Sequence, residues 1–112
     1  MRTEAAPGDT GTITERDTEP NTDWEVATAL EGMWKVLIHN DDVTPFEFVI
    51  AVLRAVFFMS GRDAVAVTTR AHVTGVAYVM TLPYEEAKYR VGQAHSLARA
   101  AGYPLTFSIE PE

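Results

Sequence analysis

The sequence predicts an α+β sandwich: three helices laid on one face of a small, mostly antiparallel, three-stranded sheet, in the order β-α-α-β-α-β. Three observations carry that expectation. Apolar residues alternate with a period of two in three short segments, apolar stripes at helical spacing fill the stretches between them, and capping residues stand at the junctions. With 112 residues, 46% of them hydrophobic, the chain suits one small domain, which at this size buries roughly 60 to 70% of its unfolded surface. No cysteine is present, which removes disulfides, thiolate zinc sites and cysteine nucleophiles from consideration.

Met1 to Asp23 holds six Thr, six acids, two Arg and four apolar residues. Such a segment buries too little surface to offset its ordering entropy, so residues 1–23 are expected to be a disordered acidic extension ahead of a core domain at 24–112. Trp24 to Gly32 is ambiguous between a short helix and an extended lead-in. From Met33 the pattern sharpens: Trp34, Val36 and Ile38 alternate with Lys35, Leu37 and His39, as in a strand with one buried face. Asn40, Asp41 and Asp42 end it as a polar turn.

Thr44-Pro45-Phe46-Glu47 reads as a capping box with Pro45 at the first helical position, so a helix is expected from Pro45 to about Phe57. Phe48, Val49, Val52, Leu53 and Val56 give it an apolar stripe. Ser60, with Asp63 three residues on, should cap a second helix from Gly61 to about His72, with Gly75 as a left-handed stop. Val76 to Leu82, rich in Val, Tyr and Met, reads as a strand. Pro83 followed by Glu85 and Glu86 opens a third helix, its acids suited to the positive end of the macrodipole, and Gly102 and Pro104 stop it. Leu105, Phe107 and Ile109 alternate into a last strand.

The balance of 9 basic and 16 acidic residues gives a formal net charge of −7, which argues against a phosphate-backbone binder. No apolar run approaches the ~20 residues of a membrane span, and the polar N-terminus lacks the apolar stretch of a signal peptide. The expectation is a cytoplasmic monomer with a protein or peptide partner, one bearing a cationic group being favoured. No cofactor is implied.

Acids in a turn before a helix most often cap it. Two adjacent acids and an Asn ahead of an already sufficient Thr44 exceed that need, which makes the turn a candidate site for an ammonium group. His72, near the end of the second helix, could equally bond the last carbonyls. His39 and His95 have weaker claims, and the histidines with Asp41 show no recognised metal-ligand spacing. Ser60, Ser96 and Ser108 show no nucleophile elbow, and no phosphate-cradling glycine loop or dinucleotide fingerprint occurs. An enzyme is not indicated.

The run from Trp34 through Asn40-Asp41-Asp42-Val-Thr44-Pro45-Phe46-Glu47-Phe48-Val49, with Ala71-His72-x-x-Gly75 and Pro104-Leu105, closely resembles the signature of ClpS, the bacterial adaptor family that delivers N-degron substrates to the ClpAP protease. The resemblance covers Met33 to Glu112 almost without gaps. It implies that Asn40, Asp41 and His72 hydrogen-bond the free α-amino group of a substrate's first residue, while Asp42, Thr44, Phe46, Val49, Thr68, Ala71 and Leu105 form a pocket for a large apolar side chain. A mostly protonated amine offers three donors and a charge, whereas an internal peptide bond offers one N–H and none. If His72 accepts through an unprotonated nitrogen, affinity should be lower in acid, where imidazoles are protonated.

Two departures bear on specificity. Phe46 stands where many members have Met and should narrow or reshape the entrance. Thr68 and Ala71 stand where larger apolar residues are common and should make the inner wall more polar and roomier. Glu85 and Arg90 match the family's contacts to the N-terminal domain of a ClpA-type AAA+ unfoldase; five residues apart, they are not an intrahelical pair of the usual spacing and are expected to be free to meet a partner. The N-terminal extension is then expected to help hand over substrate. The other reading is an interaction module that modulates an unfoldase without reading N-degrons; a small acid/base enzyme using Asp41 and His72 is more remote.

Overall fold

The computed structural model describes residues 32–112. The extension expected at Met1–Asp23 lies outside them, as does the lead-in from Trp24 up to residue 31. The element order is β1 (Met33–His39), α1 (Phe46–Phe57), α2 (Gly61–Thr74), β2 (Val76–Pro83), α3 (Tyr84–Ala100) and β3 (Thr106–Pro111), which is the expected β-α-α-β-α-β.

The most regular of the alternating segments, β1, takes the centre of the sheet. The strand order is β2-β1-β3 with both pairings antiparallel. Val36 and Ile38 point inward with Ala77, Val79 and Phe107 and are buried. Lys35, Leu37 and His39 point to the other face, opposite Glu110, Ser108 and Thr106. The register slips once: Val36 pairs with Met80 while Leu37 pairs with Tyr78. Val79 is therefore an extra residue in β2, a bulge that lets Met80 pack against the core as well.

The helices cover the inner face. From α1 come Val49, Val52, Leu53, Val56 and Phe57, and from α2 Ala64, Val67 and Ala71. The buried residues of α3 are all alanine, Ala87, Ala94 and Ala98, which lets that helix approach the sheet closely. Ser60 caps α2 as expected, its hydroxyl accepting the Asp63 amide at 3.1 Å, and Gly75 ends the helix at φ 95°.

The capping box at Thr44 does not form. Pro45 is the cap of α1, extended at φ −66° and ψ 149°, and no side chain caps the helix. The Thr44 hydroxyl donates to Asp41 Oδ2 at 2.9 Å instead. That charge-assisted bond holds the hydroxyl toward the turn, and with Pro45 at the cap position Thr44 lies one residue ahead of the place from which a side chain caps the helix. The amides of Phe48 and Val49 both reach the Pro45 carbonyl, each at 3.1 Å.

Candidate functional site

The turn between β1 and α1 is built around one carboxylate. Asp41 Oδ1 accepts the amides of Val43 at 2.8 Å and Thr44 at 2.7 Å, and Oδ2 accepts the Thr44 hydroxyl. Burial pushes the Asp41 carboxyl up, but those amides, the hydroxyl and the positive charge of Arg99 together hold it below its ordinary value. A carboxylate offers about four acceptor positions. The turn occupies three, and one remains on an oxygen held rigidly at the mouth of a cavity.

The Asn40 backbone amide donates to the Gly75 carbonyl at 3.0 Å. That bond fastens the turn to the C-terminal end of α2, where the exposed His72 sits. The alternative role for His72, bonding the last helix carbonyls, is not adopted: among the described residues no hydrogen bond ties its imidazole, and the last turn is closed by Gly75 N–H to Ala71 at 2.8 Å. Its ring meets Phe46 edge-on, with centroids 5.4 Å apart.

Behind this rim lies a cavity of about 180 Å³. Asn40, Asp41, Asp42, Thr44, Phe46, Val49, Thr68, Ala71, His72 and Leu105 all line it; residues from one turn, two helices and the approach to β3 thus meet in one place. Phe46, 41% exposed, stands at the mouth, while Val49, Thr68, Ala71 and Leu105 are buried. Ile38 and His39 also line it and were not anticipated. The inward phase of Ile38 in the alternation was the available signal.

One expectation about the wall needs correcting. Thr68 is less polar toward the cavity than its residue type suggests, because its hydroxyl donates to the Ala64 carbonyl at 2.7 Å within α2. The wall is small and its one donor is already satisfied, so the cavity is an apolar hole with a polar, acidic rim. Cavities of comparable volume lined by aliphatic groups accept a benzene ring.

Glu85 and Arg90 fall elsewhere, on α3. Glu85 is exposed and lies 3.8 Å from Lys88. Arg90 is not free, contrary to expectation: it donates to Glu86 at 2.6 and 2.9 Å and to the Val56 carbonyl at 2.6 Å, and its guanidinium lies 4.7 Å from the Phe58 ring centroid. Its role in this fold is to clasp the C-terminal end of α1 to α3, where a cation also suits the helix dipole. A larger, more open hollow of about 820 Å³ runs beside Glu85, Lys88 and Leu97. Among the described residues no group of three His, Cys, Asp or Glu is placed to hold a metal ion, and no helix is long and apolar enough to cross a membrane.

An acidic turn and a helix-end histidine thus stand at the rim of an apolar cavity. Residues 29–108 match the model of the family described as ATP-dependent Clp protease adaptor protein ClpS. The chain belongs to the ClpS family. Among ClpS relatives, the ATP-dependent Clp protease adapter protein ClpS of Nautilia profundicola is 38% identical over 86 residues, covering 77% of this chain and 89% of that protein. The ClpS of Maricaulis maris is 37% identical over 110 residues, 98% of this chain and 99% of that one. These relatives are named as adapters, in keeping with the expectation that this is not an enzyme. The structure of Agrobacterium tumefaciens ClpS2 bound to L-phenylalaninamide is similar with a TM-score of 0.71 and 41% identity, covering 73% of this chain and 99% of that one.

Proposed function

We propose that this ClpS family member captures proteins by a bulky apolar N-terminal residue and delivers them to a ClpA-type unfoldase of the ClpAP protease. The observation that carries the reading is the adjacency of two unlike surfaces: an ionised carboxylate with one acceptor position open, and an apolar cavity of about 180 Å³. Only the first residue of a chain offers an ammonium and a side chain on the same carbon. Asn40, Asp41 and His72 take the amine; Asp42, Thr44, Phe46, Val49, Thr68, Ala71 and Leu105 surround the side chain. The phenylalaninamide bound to the Agrobacterium relative has this chemistry, a free amine beside a benzyl group. An internal residue is rejected because seating it would leave Asp41 facing an uncharged peptide group.

Recruitment to the unfoldase falls to the exposed part of α3 around Glu85, with Arg90 shaping that surface from beneath. The experiment is degradation of a fluorescent reporter beginning with Phe by a ClpA-type unfoldase and its peptidase. Adding this chain should accelerate loss of that reporter and leave an otherwise identical reporter beginning with Val unchanged. Equal degradation of both would favour a modulator that does not read N-degrons.

A further inference from the structure

The wall of the cavity furthest along the chain, Leu105, is held in an unusual way. It is 1% exposed and precedes β3, whose pairing with β1 ends at His39 and Thr106. The ladder therefore does not fix Leu105. Arg99 does: one guanidinium nitrogen donates to the Tyr103 carbonyl at 2.8 Å and to the Leu105 carbonyl at 3.0 Å. One helical turn earlier, His95 Nε2 accepts the Phe107 amide at 2.9 Å. The segment is also turned by Gly102 at φ 84° and braced where the Tyr103 ring meets Phe48 edge-on at 4.8 Å.

We propose that Arg99 is a positioning residue that sets the Leu105 wall and thereby which apolar first residues the cavity favours. The inference rests on the N-degron reading above. With the two carbonyls released, Leu105 recedes, and a side chain too small to fill the enlarged space loses more contact than one that fills it. Leu as the first residue is therefore penalised relative to Trp. A pure charge effect of Arg99 acts on the ammonium at Asp41 and changes all free-amine peptides alike.

The test is fluorescence anisotropy of labelled peptides beginning with Leu and with Trp, using the full chain and its Arg99→Gln variant. The expected result is that the variant's affinity for the Leu peptide falls at least about threefold more than its affinity for the Trp peptide, with the loss on acetylating the amine unchanged. An equal loss for both peptides, or none, overturns the proposal. If Arg99→Gln has no melting transition, Arg99→Lys, which retains the charge but loses the planar fork, must move the ratio in the same direction by a smaller amount; an unmoved ratio overturns it. If the unsubstituted chain binds neither peptide, the N-degron reading itself fails. The Leu105 methyl resonances of the peptide-free protein separate the two failures, since Arg99→Gln must shift them whether or not any peptide binds.

Discussion

Asp41 holds the turn and, in the proposed function, also meets the amine of the substrate, and substitution separates the two. Asn at that position keeps a carbonyl oxygen for the Val43 and Thr44 amides but removes the charge that meets an ammonium. Asp41→Asn should weaken binding of a Phe peptide by about ten- to a hundredfold, the range for a hydrogen bond to a charged group, with little change in melting temperature. Asp41→Ala should lose binding and also loosen the turn. Binding by Asp41→Asn at wild-type affinity would remove the carboxylate from the site.

His95 supplies a pH dependence of stability. Partial burial and the positive charge of Arg99 lower its proton affinity in the folded chain, and Nε2 is engaged as an acceptor from Phe107. The unfolded chain therefore binds more protons in acid. The favourable contribution is complete above the unfolded value of about 6.5 and is lost as pH falls through the lower, folded value. Urea midpoints measured between pH 7.5 and 5 should decline, and the decline should be shallower in His95→Gln, where an amide oxygen takes over the Phe107 N–H. Parallel declines in the two proteins would contradict this.

Among the elements, the join between α2 and β2 matters most for the site. Gly75 combines a left-handed φ of 95° with a carbonyl that holds the Asn40 amide. A Cβ there would meet nothing within 4 Å, so the cost of Gly75→Ala is backbone strain alone, about 1 to 2 kcal/mol. Peptide affinity should fall with it as the turn shifts against His72. In the core, Leu53 on α1 is fully buried, and Leu53→Ala should cost about 2 to 5 kcal/mol in urea denaturation.

The elements themselves were legible because their signals are local. The alternation of Trp34, Val36 and Ile38 marks β1, and Ser60 and Gly75 mark both ends of α2. What misled was a shift of one residue: Thr44 had the spacing of a capping box, but nothing in that spacing reveals that Pro45 takes the cap position and that the Thr44 hydroxyl is turned to Asp41. The bulge at Val79 was equally hidden, since it concerns the register between two strands rather than the pattern within either one.

At the scale of the molecule, the expected cavity residues lie far apart in sequence, from Asn40 to Leu105, with Ile38 and His39 added by the structure. Their placement followed from a family resemblance, whereas alternation and helical spacing alone left Val49 as readily core as pocket. Arg90 shows the limit of local reasoning, because its partner carbonyl at Val56 is 34 residues away. That contact implies a division of labour on α3. Arg90→Ala should cost about 1 to 3 kcal/mol of stability by leaving the C-terminal end of α1 unbonded. Glu85→Gln, at an exposed position, should cost only the weak Lys88 pair and part of the helix-dipole interaction, about 0.5 to 1 kcal/mol, while weakening recruitment of the unfoldase. An Arg90→Ala protein as stable as the parent would return Arg90 to a purely docking role.

The proposed function depends on the site reading a free N-terminus, and one comparison tests that directly. Anisotropy should be measured for a labelled peptide beginning with Phe, once with a free amine and once acetylated. Saturable binding of the free-amine peptide that acetylation abolishes is the result the geometry of Asn40, Asp41 and His72 requires. Equal binding of the acetylated peptide, or no binding of either, would contradict it.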